Sequence, residues 1–300
     1  MSNLKIAIAA LVRGYDNLDS YHELILRNKH ISQNIETKNN HEYKYILFHE
    51  GNIVDGHQKF IQDNTDFKIN FIDVSRCFNI SKELENSAIQ EKGRKYKSDK
   101  GYRLMCRFNS YYIWSYLKDF DYLFRIDEDC LIQKFDKNQF DIMFKDDITF
   151  CFSKYSIETH KYTNLYLPDY LKKNLNTKRK NIYNHKFPYT NVYISNVSFW
   201  LDPELNKALK KTSLSNEQFT YRWGDLPILG SFLNFYEPKT SFFNYLTYKH
   251  LSHSTNVKVK NTVANYIFQN VNSLTSKYSY FLKNYYLNFK ATIRKYYGKN

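Results

Sequence analysis

The sequence has no two cysteines at CxxC spacing, no apolar run long enough to span a bilayer, no internal repeat, and no acidic residue from Val257 onward. Each absence narrows the field. Cys77, Cys106, Cys130 and Cys151 stand singly in apolar neighbourhoods, which argues against a paired-cysteine zinc site or a disulfide framework and fits a reducing compartment. The apolar stretch inside MSNLKIAIAALVRG is far shorter than the ~20 residues a transmembrane helix needs, and no small-residue cleavage site follows it. It reads as a first buried strand. The expected location is the cytosol, or the cytosolic face of a membrane.

What is present is ordinary for a soluble protein, with 42% hydrophobic and 25% charged residues in 300. The 28 Tyr and 23 Phe accompany abundant Asn, Lys and Ile, a bias that an AT-rich coding sequence also produces, so aromatic content alone does not indicate a stacking surface. The net charge of +14 admits a nucleic acid, an anionic membrane or a phosphorylated substrate as partner. Its distribution is uneven. Eight Lys or Arg fall in residues 257–300, leaving 36 basic against 30 acidic side chains before them. The simplest division is a domain over 1–256 and a basic, aromatic tail over 257–300. The tail would make a peripheral membrane contact or pack as a C-terminal helix. No nucleic-acid recognition module is found and no specific nucleic acid is expected, although a basic nucleic-acid-binding protein or a metal-dependent nuclease remains the alternative.

Short apolar runs alternate with helix-like segments in the first half. Strands are expected at Lys5–Val12, Tyr43–Phe48, Ile69–Val74, Tyr122–Ile126 and Ile148–Phe152, and helices at Leu18–Asn28 and Tyr102–Leu117. Glu83–Asp99 reads as a loop or a solvated helix. Later, Asn191–Trp200 has strand character, Pro203–Lys211 helical character, and Tyr170–His185 reads as a surface excursion. The repeated strand-helix-strand order predicts an α/β fold with a mostly parallel central sheet flanked by helices.

Phe-Arg-Ile-Asp-Glu-Asp places Asp127, Glu128 and Asp129 directly after an apolar strand, where open α/β sheets bind ligands. Asp-x-Asp can offer oxygens to one divalent cation that keeps positions open for phosphate. The same tripeptide also occurs in solvated turns.

The segment around this cluster resembles the fungal α-1,2-mannosyltransferase family, the glycolipid and glycoprotein 2-α-mannosyltransferases. Tyr102-Arg103, Met105-Cys106-Arg107-Phe108 and Ser110 are similar to its Tyr-Arg-x-Met-Cys-Arg-Phe-x-Ser, and Arg125-Ile126-Asp127 to its Arg-Val-Glu. Arg222-Trp223-Gly224-Asp225 resembles its Arg-Trp-Gly-Asp, and Phe242-Phe243 with Tyr248-Lys249-His250 its Phe-Phe and Tyr-Tyr-His. Order and spacing agree over roughly residues 5–253. The resemblance implies a nucleotide-sugar-transferase (GT-A-like) fold, Mn²⁺ (or Mg²⁺), GDP-mannose as favoured donor, a glycan, protein or lipid acceptor, and transfer with retention. It implies Asp127 and His250 as metal ligands. The Asp-x-Asp pattern, a departure from the family's Glu-Pro-Gly, adds Asp129. Arg13 would lie near the nucleotide, Tyr102 and Arg107 would hold the donor, and Arg125 would either join them or pair with a carboxylate. Gly224 would free the backbone to turn, Trp223 would offer a sugar a flat face, and Asp225 would accept hydroxyls, cap a helix, or both. A second departure concerns the nucleophile. Where the family has a Glu in Ser-Asn-Phe-Glu-Ile, Thr190-Asn191-Val192-Tyr193-Ile194 puts Tyr193, which makes this a divergent member. Front-side attack, a different carboxylate (Asp225, Glu217 or Asp202), and lost activity are the three explanations, the first being preferred.

Overall fold

Five consecutive residues of the first strand, Ile6 to Ala10, are buried, and all five of Tyr122–Ile126 are too. A strand covered on both faces reads as a continuous apolar run, and such strands form the middle of α/β sheets. The computed structural model describes residues 3–35, 40–89, 96–177, 182–252 and 255–260. Its strands are β1 (Lys5–Leu11), β2 (Glu42–His49), β3 (Ile69–Asp73), β4 (Tyr122–Ile126), β5 (Cys130–Phe135), β6 (Phe150–Phe152), β7 (Tyr155–Ile157), β8 (Lys186–Pro188), β9 (Val192–Asn196), β10 (Thr240–Phe242), β11 (Tyr245–His250) and β12 (Thr255–Lys260).

The main sheet has the order β10-β6-β9-β4-β1-β2-β3. Its pairs are parallel except those of β9, which runs antiparallel between β4 and β6. A small sheet, β12-β11-β5, in which β5 and β11 run antiparallel, stands beside it. Only Asp127, Glu128 and Asp129 separate β4 of the first sheet from β5 of the second. The acidic triplet is therefore the corner between two sheets, at the carboxyl end of a central parallel strand.

Several elements depart from expectation for visible reasons. Trp200 lies in a helix, Val197–Leu201, because the Asn196 side chain caps Phe199 N at 3.1 Å and turns the chain. The indole then stacks on Trp114, centroids 5.0 Å apart, in the core. The expected excursion at Tyr170–His185 begins inside a helix, Lys161–Asn174, that buries Leu167 and Leu171 and carries Pro168 within it. The helix expected from Tyr102 starts at Tyr96 and loosens to π geometry over Phe108–Tyr112 before Ile113–Tyr116. Glu83–Asp99 contains a short helix, Lys82–Asn86, reaching into its start.

The first compact unit runs to Val259, and Val257 and Val259 are buried in it. The tail, and with it the membrane-contact expectation, lies outside the described residues from 261 onward. Among the described residues no helix is long and apolar enough to cross a membrane.

Candidate functional site at the corner of two sheets

Two features form the corner. From below, Arg27 of the helix His22–Asn34 donates through Nε (3.2 Å) and Nη2 (2.8 Å) to the carbonyl of Ile126, the last residue of β4. Two donors from one guanidinium thus meet the carbonyl that ends the strand. Burial lowers the Arg27 guanidinium to about 10, so it remains a cation beneath the acidic turn. From the side, β11 pairs with β5 so that His250 faces Cys130, and Leu251 N donates to Asp129 O at 2.9 Å.

The β5–β11 pairing brings together residues far apart in sequence. His250 Nε2 lies 3.1 Å from Asp129 Oδ2, and the other ring nitrogen, Nδ1, lies 3.1 Å from Asn191 Nδ2 and 3.4 Å from the Tyr189 hydroxyl. Asn191 Oδ1 in turn accepts from the Tyr248 hydroxyl at 3.1 Å. Burial opposes ionisation of Asp129, but hydrogen bonds from His250 and Ser252 outweigh it and hold the carboxyl at about 2. Among the described residues, Asp129, Cys130 and His250 form the group whose ligand atoms converge closely enough for a metal ion.

Asp127 sits differently. Its Oδ1 accepts from Arg125 Nε at 2.7 Å, and Arg125 Nη1 donates to Asp225 Oδ2, also at 2.7 Å. One buried guanidinium thus bridges two carboxylates. Burial works against the Arg125 charge, and Asp127 and Asp225 outweigh it. Burial pushes the Asp127 carboxyl up while Arg125 pulls it down. Glu128 turns the other way and accepts Arg13 N at 2.9 Å. Burial raises it to about 7, partly offset by Arg13. The exposed Arg13 side chain therefore marks the β1 side of the turn.

The remaining candidates divide. Tyr193 on β9 is fully buried and stacked on Phe150 at 4.8 Å. Burial holds its phenol far above the usual value despite Arg125 nearby. The phenol is thus protonated and turned into the core. Trp223 is also fully buried, edge-on to Tyr170, and offers no face to a sugar. Arg107 is turned inward, donating to Gln218 Oε1 at 3.1 Å and Ser215 O at 3.0 Å, so it holds the protein's own chain. Asp202 caps the helix Pro203–Ser213, and Glu217 occupies the first turn of a helix over Asn216–Thr220; neither is brought to the acidic turn.

The Arg-Trp-Gly-Asp turn also differs from expectation. Gly224 has ordinary extended geometry and is the N-cap, while Asp225 is the first helical residue and caps nothing. The left-handed residue is Arg222, φ 59°, a conformation worth about 1–3 kcal/mol in a side-chain-bearing residue. Its guanidinium is held by Asp99 at 2.5 Å and by the Tyr102 ring, 4.0 Å from the centroid. A Cβ on Gly224 would meet Pro227 Cδ at 3.3 Å and the Tyr102 hydroxyl at 3.5 Å, so Tyr102 packs against this turn.

Sequence reasoning missed Arg27, Ser252 and Tyr189, and gave Asn191 and Cys130 no role at the site. Asn191 stands two residues before Tyr193 in the string that resembles the family's Ser-Asn-Phe-Glu-Ile.

No family model matches the chain, and no curated protein matches it. Solved structures do. Core-mannan synthase A from Aspergillus fumigatus, in its Mn/GDP form, is similar at a TM-score of 0.68 over 82% of this chain and 74% of that one, with 19% identity. The mannosyltransferase Ktr4p from S. cerevisiae, in complex with GDP, is similar at 0.68 over 87% of this chain and 74% of that one, with 16% identity. The chain shares with them a GT-A-like α/β fold, with its mostly parallel central sheet flanked by helices.

Proposed function

We propose that the chain is a metal-dependent glycosyltransferase that moves a hexose, mannose favoured, from a nucleoside-diphosphate sugar to a glycan, protein or lipid acceptor. The observation that carries this reading is the Asp129–His250 pair, 3.1 Å apart, at the carboxyl end of β4. The fold is one whose solved examples include a Mn/GDP form and a GDP complex.

The donor set fits a divalent cation. Asp129 is held ionised, and an imidazole beside a carboxylate suits Mn²⁺. Bound there, the cation would act as a Lewis acid that neutralises a departing diphosphate. Asn191 and Tyr189 hold the far nitrogen of His250, which sets the orientation of the ring. Arg125 keeps Asp127 and Asp225 in place against each other. Arg13, exposed on the β1 side, is the cation we assign to the nucleotide's phosphates, and Tyr102 is the aromatic we assign to the donor.

Tyr193 is buried and neutral, and Asp225 is engaged by Arg125. We therefore favour front-side displacement, in which the acceptor hydroxyl passes its proton to the departing phosphate oxygen and configuration is retained. A thermal-shift panel tests the reading with Mn²⁺ combined with GDP, UDP or an oligonucleotide. Stabilisation by Mn²⁺ and a nucleoside diphosphate is expected; stabilisation by oligonucleotide alone would overturn it. A hydrolysis screen against nucleotide sugars then identifies the donor.

A further inference from the structure

The reading above leaves one residue of the centre without a task. Cys130 opens β5, is fully buried, and faces His250 across the ladder. Its Sγ lies 3.8 Å from Asp129 Oδ1 and 3.5 Å from Asn191 Nδ2. One ligand atom from each of Asp129, Cys130 and His250 lies within 4.8 Å of the others. A tetrahedral ion bound at about 2.0–2.3 Å to oxygen, nitrogen and sulfur separates its donors by about 3.3–3.6 Å. His250 Nε2 lies 3.1 Å from Oδ2 and Cys130 Sγ 3.8 Å from Oδ1, so the imidazole and the thiol approach opposite oxygens of the same carboxylate at close to that spacing.

We propose that Cys130 is a third protein ligand of this centre, which makes it a site for a thiophilic divalent cation, Zn²⁺ or Co²⁺, in preference to Mg²⁺. The inference rests on the metal-site reading of the proposed function and assigns the class of cation to it. Sulfur alongside imidazole and one carboxylate shifts a site away from hard, oxygen-preferring ions. Burial and the neighbouring Asp127 and Asp129 hold the thiol protonated while no ion is bound, and the Asn191 amide, donating to the sulfur at 3.5 Å, orients it. When the metal–sulfur bond forms, the S–H bond breaks and its proton passes to solvent, so each ion bound releases one proton. The other thiols are elsewhere: Cys77 is 3.5 Å from the Tyr116 hydroxyl, Cys106 is 3.9 Å from Asp225 Oδ1, and Cys151 is 3.5 Å from Gln139 Nε2. The absence of CxxC pairs conceals such a site, because its ligands are two adjacent residues and a distant histidine.

The test adds Co²⁺ to chelator-treated full-length protein and records its absorption spectrum. Visible d–d bands together with a near-ultraviolet sulfur-to-cobalt charge-transfer band are expected, and excess Mg²⁺ should displace neither. Cys130→Ser should lose the charge-transfer band and keep the d–d bands; Cys77→Ser should keep both. Bound Co²⁺ without the charge-transfer band in the unsubstituted protein overturns the proposal. Should Cys130→Ser fail to fold, X-ray absorption of the Zn²⁺-loaded unsubstituted protein decides the matter. One sulfur scatterer at about 2.3 Å supports the proposal, and a shell of nitrogen and oxygen alone overturns it. Uptake of Mn²⁺ but of neither Zn²⁺ nor Co²⁺ defeats this inference alone. Uptake of no divalent cation defeats the functional reading with it.

Discussion

Asp129 and His250 meet at 3.1 Å across the corner where β4 gives way to β5 and β11 returns alongside. Asp127, two residues earlier, is turned instead onto Arg125 at 2.7 Å. The two aspartates of one Asp-x-Asp are therefore unequal. Asp129→Asn should abolish the Mn²⁺-dependent thermal shift, while Asp127→Asn should weaken metal binding by about 10–100-fold, as loss of an outer partner does. A titration of the two variants compares them directly; equal loss in both would mean that they ligate equally.

Arg125 anchors two carboxylates, and its removal should be felt in the fold before the chemistry. Arg125→Ala leaves Asp225 buried without its counter-ion, a change that costs about 3–5 kcal/mol. Denaturant unfolding measures it. Pairing Arg125→Met with Asp225→Asn should recover part of the loss, since the more deeply buried of the two stranded charges is then gone and only Asp127 lacks its partner.

Tyr193→Phe should leave donor turnover within about threefold of the unsubstituted protein, since a buried neutral phenol supplies neither nucleophile nor base. Kinetics with the donor found in the hydrolysis screen checks this. A collapse of kcat with the fold intact would return Tyr193 to the chemistry.

Asp99 supplies a pH signature. Burial raises its carboxyl, but Arg222 and Arg103 outweigh this, leaving it below its usual 3.8. A depressed carboxyl stabilises the fold above its unfolded-state value, and that contribution fades as pH falls through 3.8 toward the folded value. Asp99→Asn should therefore destabilise at neutral pH and converge with the unsubstituted protein in acid. Parallel unfolding curves over the whole pH range would refute the assignment.

Residues 257–300 make a separate prediction. If the basic tail contacts an anionic membrane, the full chain should float with phosphatidylserine liposomes and a chain ending at residue 260 should not. Equal flotation of both would refute the contact.

The sheet was legible from apolar runs because β1 and β4 are buried on both faces, and Tyr122–Ile126 was read to the residue. The acidic turn was legible for the same reason, as the polar stop of a buried strand. The positions of Arg107 and Trp223 were not, because a motif string records residue types and not which side of the backbone faces the core. Nor was the exchange between Gly224 and Arg222. Glycine is the expected left-handed residue, and here an ion pair with Asp99 and the Tyr102 ring hold an arginine in that conformation instead. Arg27 gave no local signal at all, since its partner is a carbonyl 99 residues away.

The pairing of β5 with β11 has a consequence for synthesis. The acidic turn leaves the ribosome long before His250 does, so for much of translation its carboxylates lack the imidazole that later faces them. A nascent chain released before β11 would hold β1 to β4 and the acidic triplet, yet could not assemble the proposed cation site. Purified chains ending at residue 244 and at residue 260 should therefore differ abruptly in metal binding, because only the longer one carries β11 and His250.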